Sequence, residues 1–516
     1  MTLEREIELK LEVSPEALER MKCAVPTEGF SQSEPQIKWL KSLYFDTPDQ
    51  ALRQRRISLR VREIAPDQFV QTLKLGTGVT GGLSRAIEIE RPVTGRGLDL
   101  ACIDDPKALA VLVDALAGKP LLPAFETVIE RTARTITAHD ETCIEVAFDS
   151  GEIVAGQDRT PLAELELELQ SGSPEALFSA AEWIAGSIPF RFSPYNKSER
   201  GFRFVTGAPA ESAVRRAGTI KLKPSRSTET AFVAILSSCL TQVSDNRLAV
   251  LQENGTEAPH QLRVGLRRLR SAFRLFRPLL VDDPWAAGLA DEARELAASV
   301  ETVRNLDVLQ LDIVAPVEKA LPGSLNCAAL LTTLAAQRDE AHQLLVDRLH
   351  QSHWNRFLLA LTAYLSLRGW RETASSSIQE RWNQPLETFA NEALAKQWKK
   401  VTAYGDRLDD LDIPERHEMR KALKKLRYGL EFFGSLYPQP KLKPYLRQLR
   451  KLQNVFGYLN DVAMAERLLD YVPDLEPESA FAAGYCLAHH KARSDRKWQR
   501  AQELWQNLEA TKPVWK

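Results

Sequence analysis

The sequence predicts an α+β chain of two dissimilar parts, β-rich over residues 1–205 and all-α over residues 219–516. Three observations predict it. Charged and apolar residues alternate with period two along much of 1–205, the mark of strands with one buried face. From 231 to 510 the apolar residues recur at helical spacing, with almost no strand alternation. Between the two lies a small, polar run, 206–218, containing Gly207, Pro209 and Gly218, which reads as a linker. At roughly 150 residues per domain, a chain of this length holds about three domain-sized units and buries its own core.

The strands follow in order. Glu4, Glu6, Glu8 and Lys10 alternate with Arg5, Ile7, Leu9 and Leu11. Ser58, Arg60 and Arg62 alternate with Ile57, Leu59 and Val61, and Thr72 and Lys74 with Gln71, Leu73 and Leu75. Glu145 and Asp149 alternate with Val146 and Phe148, and Glu164, Glu166 and Glu168 with Leu165, Leu167 and Leu169. Short helical patches interrupt them near 14–22, 106–117 and 174–187. Ser14-Pro15 and Ser173-Pro174 read as N-caps followed by proline at the first helical position.

Composition is that of a globular protein, with 44% hydrophobic and 27% charged residues. The 68 Lys+Arg and 69 Asp+Glu give a net charge of -1. That total hides a division. Residues 1–205 hold 24 basic and 32 acidic residues, net −8, and the rest of the chain is net +7. The six cysteines stand at no metal-ligand spacing and are too sparse for a disulfide framework, so a reduced, cytoplasmic setting is expected. The first residues are charged from Glu4 and lack the apolar core of a signal peptide. No run of 18 apolar residues exists, so no membrane-spanning helix is expected.

A strand with one charged face ordinarily turns that face to water. Here at least five strands carry such a face, with charges of both signs. Closing the sheet into a barrel, apolar face outward against helices, gives a charged lumen instead. Such a lumen is costly unless its acids and bases pair or hold a ligand. A triphosphate with divalent cations suits it, carboxylates holding the metal and Arg and Lys the phosphate oxygens.

These residues carry a resemblance. Glu6-Ile7-Glu8-Leu9-Lys10 resembles the Glu-x-Glu-x-Lys signature of the CYTH superfamily, the triphosphate tunnel metalloenzymes. Tyr44-Phe45-Asp46-Thr47, Ser58-Leu59-Arg60-Val61-Arg62, Thr72-Leu73-Lys74, Arg85 with Glu88 and Glu90, Arg131, the 164–168 strand and Asn196-Lys197-Ser198-Glu199-Arg200-Gly201 follow in the family's order. Asn196 stands where many relatives have Ser. The resemblance implies an eight-stranded antiparallel closed barrel and metal-dependent triphosphate hydrolysis. It makes Glu6, Glu8, Glu166 and Glu168 ligands of Mg²⁺ or Mn²⁺. It makes Arg60, Arg62, Lys74, Arg85, Arg131 and Lys197 the phosphate grip, and Lys10 the residue that positions or activates the attacking water beside Glu6 and Glu8.

The helical part contains an internal repeat. Aligned on a histidine, His260, Arg263, Arg267, Arg268 and Arg270 meet His417, Arg420, Lys424, Lys425 and Arg427. Leu262, Leu266, Leu269, Phe273 and Phe276 meet Met419, Leu423, Leu426, Leu430 and Phe433. On a helix the apolar set makes one stripe and the basic set another. Residues 260–277 contain no Asp or Glu, so the first basic stripe has no acidic partner on its own helix. A polyanion ligand follows from unpaired basic charge at repeated offsets, and a protonated histidine opening each stripe could donate to phosphate.

The pattern, with Leu452-Gln453 through Asn460-Asp461, is similar to the CHAD domain, named for its histidines on helices. The resemblance covers about 219–516. It implies two pseudo-symmetric four-helix bundles and a basic surface that binds inorganic polyphosphate through His260, Arg263, Arg267, Arg270, His417, Arg420, Lys424 and Arg427. Nucleic acid is not expected, because the basic faces lack interleaved exposed aromatics; Trp354, Trp382 and Trp398 read as core. The expected function is therefore an inorganic triphosphatase that splits tripolyphosphate into pyrophosphate and phosphate, tethered to polyphosphate and to its granules. Another triphosphate, thiamine triphosphate or a nucleotide, and a non-catalytic polyphosphate scaffold are the alternatives.

Overall fold

The computed structural model describes residues 5–24, 29–76, 78–188, 190–208, 214–321, 327–467 and 475–515. The chain divides into two compact units, Met1–Ala213 with His350–Leu367, and Val214–Leu349 with Arg368–Lys516. Glu4 and residues 209–213 of the expected linker lie outside the described residues.

The first unit is built on β1 (Arg5–Glu12), β2 (Phe30–Gln32), β3 (Gln36–Asp46), β4 (Ile57–Ala65), β5 (Gln68–Leu75), β6 (Val79–Thr80), β7 (Leu83–Val93), β8 (Leu122–Ala138), β9 (Cys143–Ala155), β10 (Asp158–Ser171) and β11 (Arg191–Phe192). Around the ring the order is β1-β10-β9-β8-β3-β4-β5-β7, and β7 pairs with β1 again. Eight antiparallel strands thus close into a barrel. β2, β6 and β11 are short additions to β8, β7 and β1.

Register puts the charged residues on one side. Glu8 stands opposite Glu168 and Ser84, and Lys10 opposite Glu166. Arg60 stands opposite Tyr44 and Thr72, Lys74 opposite Glu88, and Arg131 opposite Asp149. Directly opposed residues share a face, so all of these side chains point into the lumen. The intervening Leu9, Leu11, Leu59, Leu73, Leu165 and Leu167 are fully buried on the outer face. The helix Pro106–Leu116 covers Ile57, Leu59, Leu73 and Ile89. The helices Pro15–Lys22 and Pro174–Ser187 pack on β10. Ser14 and Ser173 cap these two as expected, their hydroxyls accepting from Ala17 N and Glu175 N.

One further helix, Lys197–Val205, packs against β8 and β9. Its N-cap is Asn196, whose side chain accepts from the Glu199 amide, so Asn does here the work of a serine cap. Gly201 is required by close approach: a Cβ there would fall 2.0 Å from the Phe125 ring. Phe125 in turn stacks on Tyr44 and meets Phe202 edge-on.

In the second unit the two repeat copies are the helices Glu257–Phe276 and Ile413–Phe432. The first packs against Thr228–Gln252 and Pro284–Ser299, the second against Leu386–Gly405 and Gln439–Ala465, and the two pack on each other. The same neighbours in the same order follow from the same apolar stripe. The long helix Pro477–Glu509 contributes Ala482, Ala483 and Cys486 to a core with Leu309, Ile313, Val317 and Leu330. Trp354, Trp382 and Trp398 are buried, as expected from their amphipathic surroundings. Among the described residues no helix is long and apolar enough to cross a membrane.

Candidate active site

The barrel lumen, about 240 Å³, is lined by carboxylates and cations from every strand of the ring but β3, which gives Tyr44, and by Lys197 from the helix Lys197–Val205. Lys10 Nζ lies 2.5 Å from Glu8 and 2.7 Å from Glu166. Lys74 Nζ donates to both Glu6 oxygens at 2.8 Å and meets Glu88 at 3.0 Å. Arg131 grips Asp149 with two hydrogen bonds of 2.7 and 2.6 Å and reaches Glu166 at 2.7 Å. Lys197 stands within 2.8 Å of Asp149, Glu164 and Glu166. Arg60 has only loose pairs, 3.7 Å to Glu88 and 3.8 Å to Glu90. Arg62 donates to Ser42 Oγ at 3.0 Å and, among the described residues, has no carboxylate partner.

Electrostatics sort these groups. Burial opposes charge on Glu166, yet Lys10, Lys197 and Arg131 hold its carboxyl well below the usual range. Burial likewise opposes charge on Lys10, yet Glu166 and Glu8 raise its pKa, so the pair favours its cationic form. Burial together with Glu166 pushes Glu8 up to about 7, against the pull of Lys10. Burial and then Glu6 and Glu8 push Glu168 up to about 8. Burial, Arg60 and Arg131 push Arg62 down to about 10. The lumen therefore keeps one cation under-neutralised and one carboxylate cluster, Glu6, Glu8 and Glu168, over-charged.

The donor chemistry of that cluster, oxygen atoms alone, suits a hard divalent cation, which would relieve the repulsion raising Glu8 and Glu168. The side chains are not arranged as a ligand cage: Glu6 turns to Lys74 and Glu8 to Lys10, and no metal-holding group of three or more His, Cys, Asp or Glu forms among the described residues.

In the second unit a groove of about 800 Å³ is lined by Arg263, Arg267 and Arg270 from the first repeat and His417, Arg420 and Lys424 from the second. Arg263 pairs with Glu301 at 2.8 Å and Arg420 donates to Asn460 at 3.2 Å. Arg267, Arg270 and Lys424 have no ion pair among the described residues. Burial and the surrounding arginines push Lys424 down to about 6. His260 and Arg427 line a second hollow with the buried Arg268. Burial and Arg304 push His260 down to about 4.

Of the tunnel residues expected from sequence, Glu6, Glu8, Lys10, Arg60, Arg62, Lys74, Arg131, Glu166, Glu168 and Lys197 line one lumen. Arg85 does not. It pairs across from Ile7, while Ser84, Ala86, Glu88 and Glu90 face inward, so strand parity sends Arg85 out. It is exposed and donates to Ser366. Lys197 is turned to three carboxylates instead of standing free. Tyr44 is one of the lumen residues that the sequence reading did not assign; its place in the Tyr-Phe-Asp-Thr segment, in phase with Ser42, was the available signal. Although burial raises its pKa, Arg60 and Arg62 hold the phenol below its ordinary value. In the groove, Arg274 and Arg294 were also unassigned, Arg274 lying one turn beyond Arg270 on the same stripe.

A closed barrel with acids and bases packed into its lumen defines a tunnel protein, and the basic repeat lines a groove in a helical module. Residues 4–201 match the CYTH domain family and residues 234–470 the CHAD domain family: the chain is a CYTH domain followed by a CHAD domain. It is 31% identical over 198 residues to an inorganic triphosphatase of Haemophilus influenzae, covering 38% of this chain and 54% of that relative, so the match spans about half the relative's length. Among solved structures, the CHAD domain from Ricinus communis is 27% identical at a TM-score of 0.49, covering 58% of this chain and 98% of that one. A putative adenylyl cyclase from Hippeastrum, described as having a dominant triphosphatase activity, is 19% identical at a TM-score of 0.29, covering 39% of this chain and 96% of that one.

Proposed function

We propose that the tunnel is an inorganic triphosphatase, hydrolysing tripolyphosphate to pyrophosphate and phosphate, and that the helical unit binds inorganic polyphosphate. The observation that carries the reading is the division of the lumen. Arg62, with Arg60 only loosely paired, offers cationic charge to an entering phosphate chain, and the Glu6, Glu8 and Glu168 cluster faces it. Tyr44 is the single aromatic among the described lining residues, and its ring is stacked on Phe125, so no ring is free to receive a base or thiazole. That favours an inorganic chain over a nucleotide or thiamine triphosphate.

In this reading Arg60, Arg62 and Lys74 take the phosphate oxygens, Lys74 exchanging Glu6 and Glu88 for phosphate. Arg131 and Lys197 do not leave their carboxylates; they fix Asp149 and Glu166, and Glu166 with Glu8 fixes Lys10. Lys10, held protonated, donates to the attacking water or the phosphate it attacks. Glu6, Glu8 and Glu168, with Glu166 at their edge, would hold Mg²⁺ or Mn²⁺, which neutralises phosphate charge and lowers the pKa of bound water. One water is consumed, and the P–O bond to the departing pyrophosphate breaks.

Purified protein given tripolyphosphate, ATP, thiamine triphosphate and long-chain polyphosphate with Mg²⁺ or Mn²⁺ tests the proposal. Release of phosphate and pyrophosphate from tripolyphosphate, abolished by chelation, is the expected result. Polyphosphate binding with no phosphate release from any of the four would leave the scaffold reading standing and sink this one.

A further inference from the structure

The segment His350–Leu367 lies within the stretch matched to the CHAD family, yet it packs in the first unit, with the barrel. Its helix, Ser352–Leu367, packs along Pro174–Ser187 and buries Trp354, Asn355, Leu359 and Thr362. Asn355, Leu359, Thr362 and Ser366 follow helical spacing and form one face. Three of them bond to the barrel. Asn355 donates to the Phe190 carbonyl at 2.9 Å. The Thr362 hydroxyl is shared between Leu358 O at 2.8 Å and Gly81 O at 3.3 Å. Ser366 accepts from Arg85, the residue that strand parity turns outward.

The two carbonyls held by Asn355 and Thr362 flank a seam in β1. Through Leu9 the neighbour of β1 is β7; from Leu11 it is β11. Lys10 sits at the change. Its amide donates to Gly82 O at 2.8 Å, and its carbonyl accepts from Ser193 N at 3.0 Å. Gly82 must be glycine there: its φ is +78°, and a Cβ would fall 2.3 Å from the Phe192 ring and 3.1 Å from Lys10 O. Gly82 and Ser193 each lie one residue beyond the ladders that β1 makes with β7 and β11. One helix holds the residue before Gly82 and the segment entering β11.

We propose that the helix Ser352–Leu367 is a working part of the tunnel, and that Asn355 and Thr362 are positioning residues that hold the β1 seam and so aim Lys10 at Glu8 and Glu166. The catalytic unit then comprises the N-terminal domain plus a helix supplied from the middle of the CHAD sequence. The link to catalysis rests on the proposed triphosphatase reading; the positioning itself does not.

The test uses the full chain carrying Asn355→Leu and Thr362→Val, near-isosteric changes that remove the polar groups. Amide hydrogen exchange over residues 5–12 should quicken. The kcat on tripolyphosphate should fall about tenfold with KM little changed, because misaiming costs turnover more than binding. Thr362→Ser should retain wild-type values. If the double variant fails to fold, Thr362→Val alone gives the same two readouts. Exchange over 5–12 equal to wild type overturns the proposal, as does an unchanged kcat. Should the unaltered protein hydrolyse no triphosphate, the functional reading falls and the exchange measurement still decides the positioning role.

Discussion

Arg62 and Arg131 both point into the lumen, but they answer to different balances. Arg131 is locked to Asp149, which is fully buried, and to Glu166. Arg131→Ala leaves the buried Asp149 to Lys197 alone and should destabilise, by at most the about 3–5 kcal/mol lost when a buried pair is broken outright. Arg62 has no carboxylate to abandon, and burial with two neighbouring guanidiniums already disfavours its charge. Arg62→Ala should therefore leave thermal stability unchanged or raise it, while KM for tripolyphosphate rises at least tenfold. Melting curves and steady-state kinetics on the two variants check the contrast, and equal destabilisation by both would refute it. Glu168 and Glu8 give a second residue-level expectation. Their folded pKa values, about 8 and about 7, lie above the ordinary carboxylate value. A carboxyl that binds its proton more tightly when folded contributes stability below pH ~4.5 and loses it as pH rises through the folded value. In chelator, the melting temperature should fall between pH 5 and 8. Mg²⁺ should remove that fall if it takes the proton's place, and Glu168→Gln should flatten it without metal.

At the scale of elements, β1, β4, β5, β9 and β10 were legible because each has one apolar and one charged face, and strict alternation fixes which residues share a side; β3, whose inward face carries Ser42 and Tyr44, gave no such signal. Parity explains both the success and the miss. Glu6, Glu8 and Lys10 are in phase and converge; Arg85 is out of phase with Glu88 and Glu90 and cannot join them. Closure of the barrel followed from the cost of five charged faces, not from any local signal. The helix Ser352–Leu367 was not legible in the same way. Its apolar residues read as one more bundle helix, and local periodicity cannot say which core a helix joins. The basic stripes were legible through repetition, but which of their cations stay unpaired depends on partners from other helices, such as Glu301 for Arg263. Lys424 is the consequence. Burial, then Arg267, Arg420 and Arg263, push it down to about 6, so above that pH the empty groove holds it mostly neutral. Bound phosphates would restore its proton. Affinity for long-chain polyphosphate should then weaken as pH rises from about 6 toward 9, with proton uptake on binding. Lys424→Arg, charged throughout, should flatten that dependence in calorimetric titrations. An identical slope in the variant would remove Lys424 from the account.

For the whole molecule, the net charge of -1 is the least informative number the sequence offers, because −8 over residues 1–205 cancels +7 over the remainder. The two excesses work in different surroundings. In the tunnel, charges are enclosed among opposite charges a few ångströms away, where salt screens little. In the groove, Arg267, Arg270 and Lys424 lie partly open to solvent without ion pairs, so an anion that binds them must displace counterions. Polyphosphate affinity should consequently fall linearly on a log–log plot against NaCl, and Arg267→Ala should reduce that slope by about one, as counterion release prescribes for one lost contact. Glu6→Gln addresses the other excess. It leaves Lys74 without one partner and weakens the carboxylate cluster, so tripolyphosphate turnover should be lost, while the polyphosphate affinity of the groove and its salt slope stay those of the unaltered protein. Filter binding across a salt series, run beside the phosphate-release assay on the same preparations, reads both. If Glu6→Gln also shifted the salt slope, the tunnel and groove would share one anion site, and the opposite net charges of the two parts would no longer mark two separate tasks.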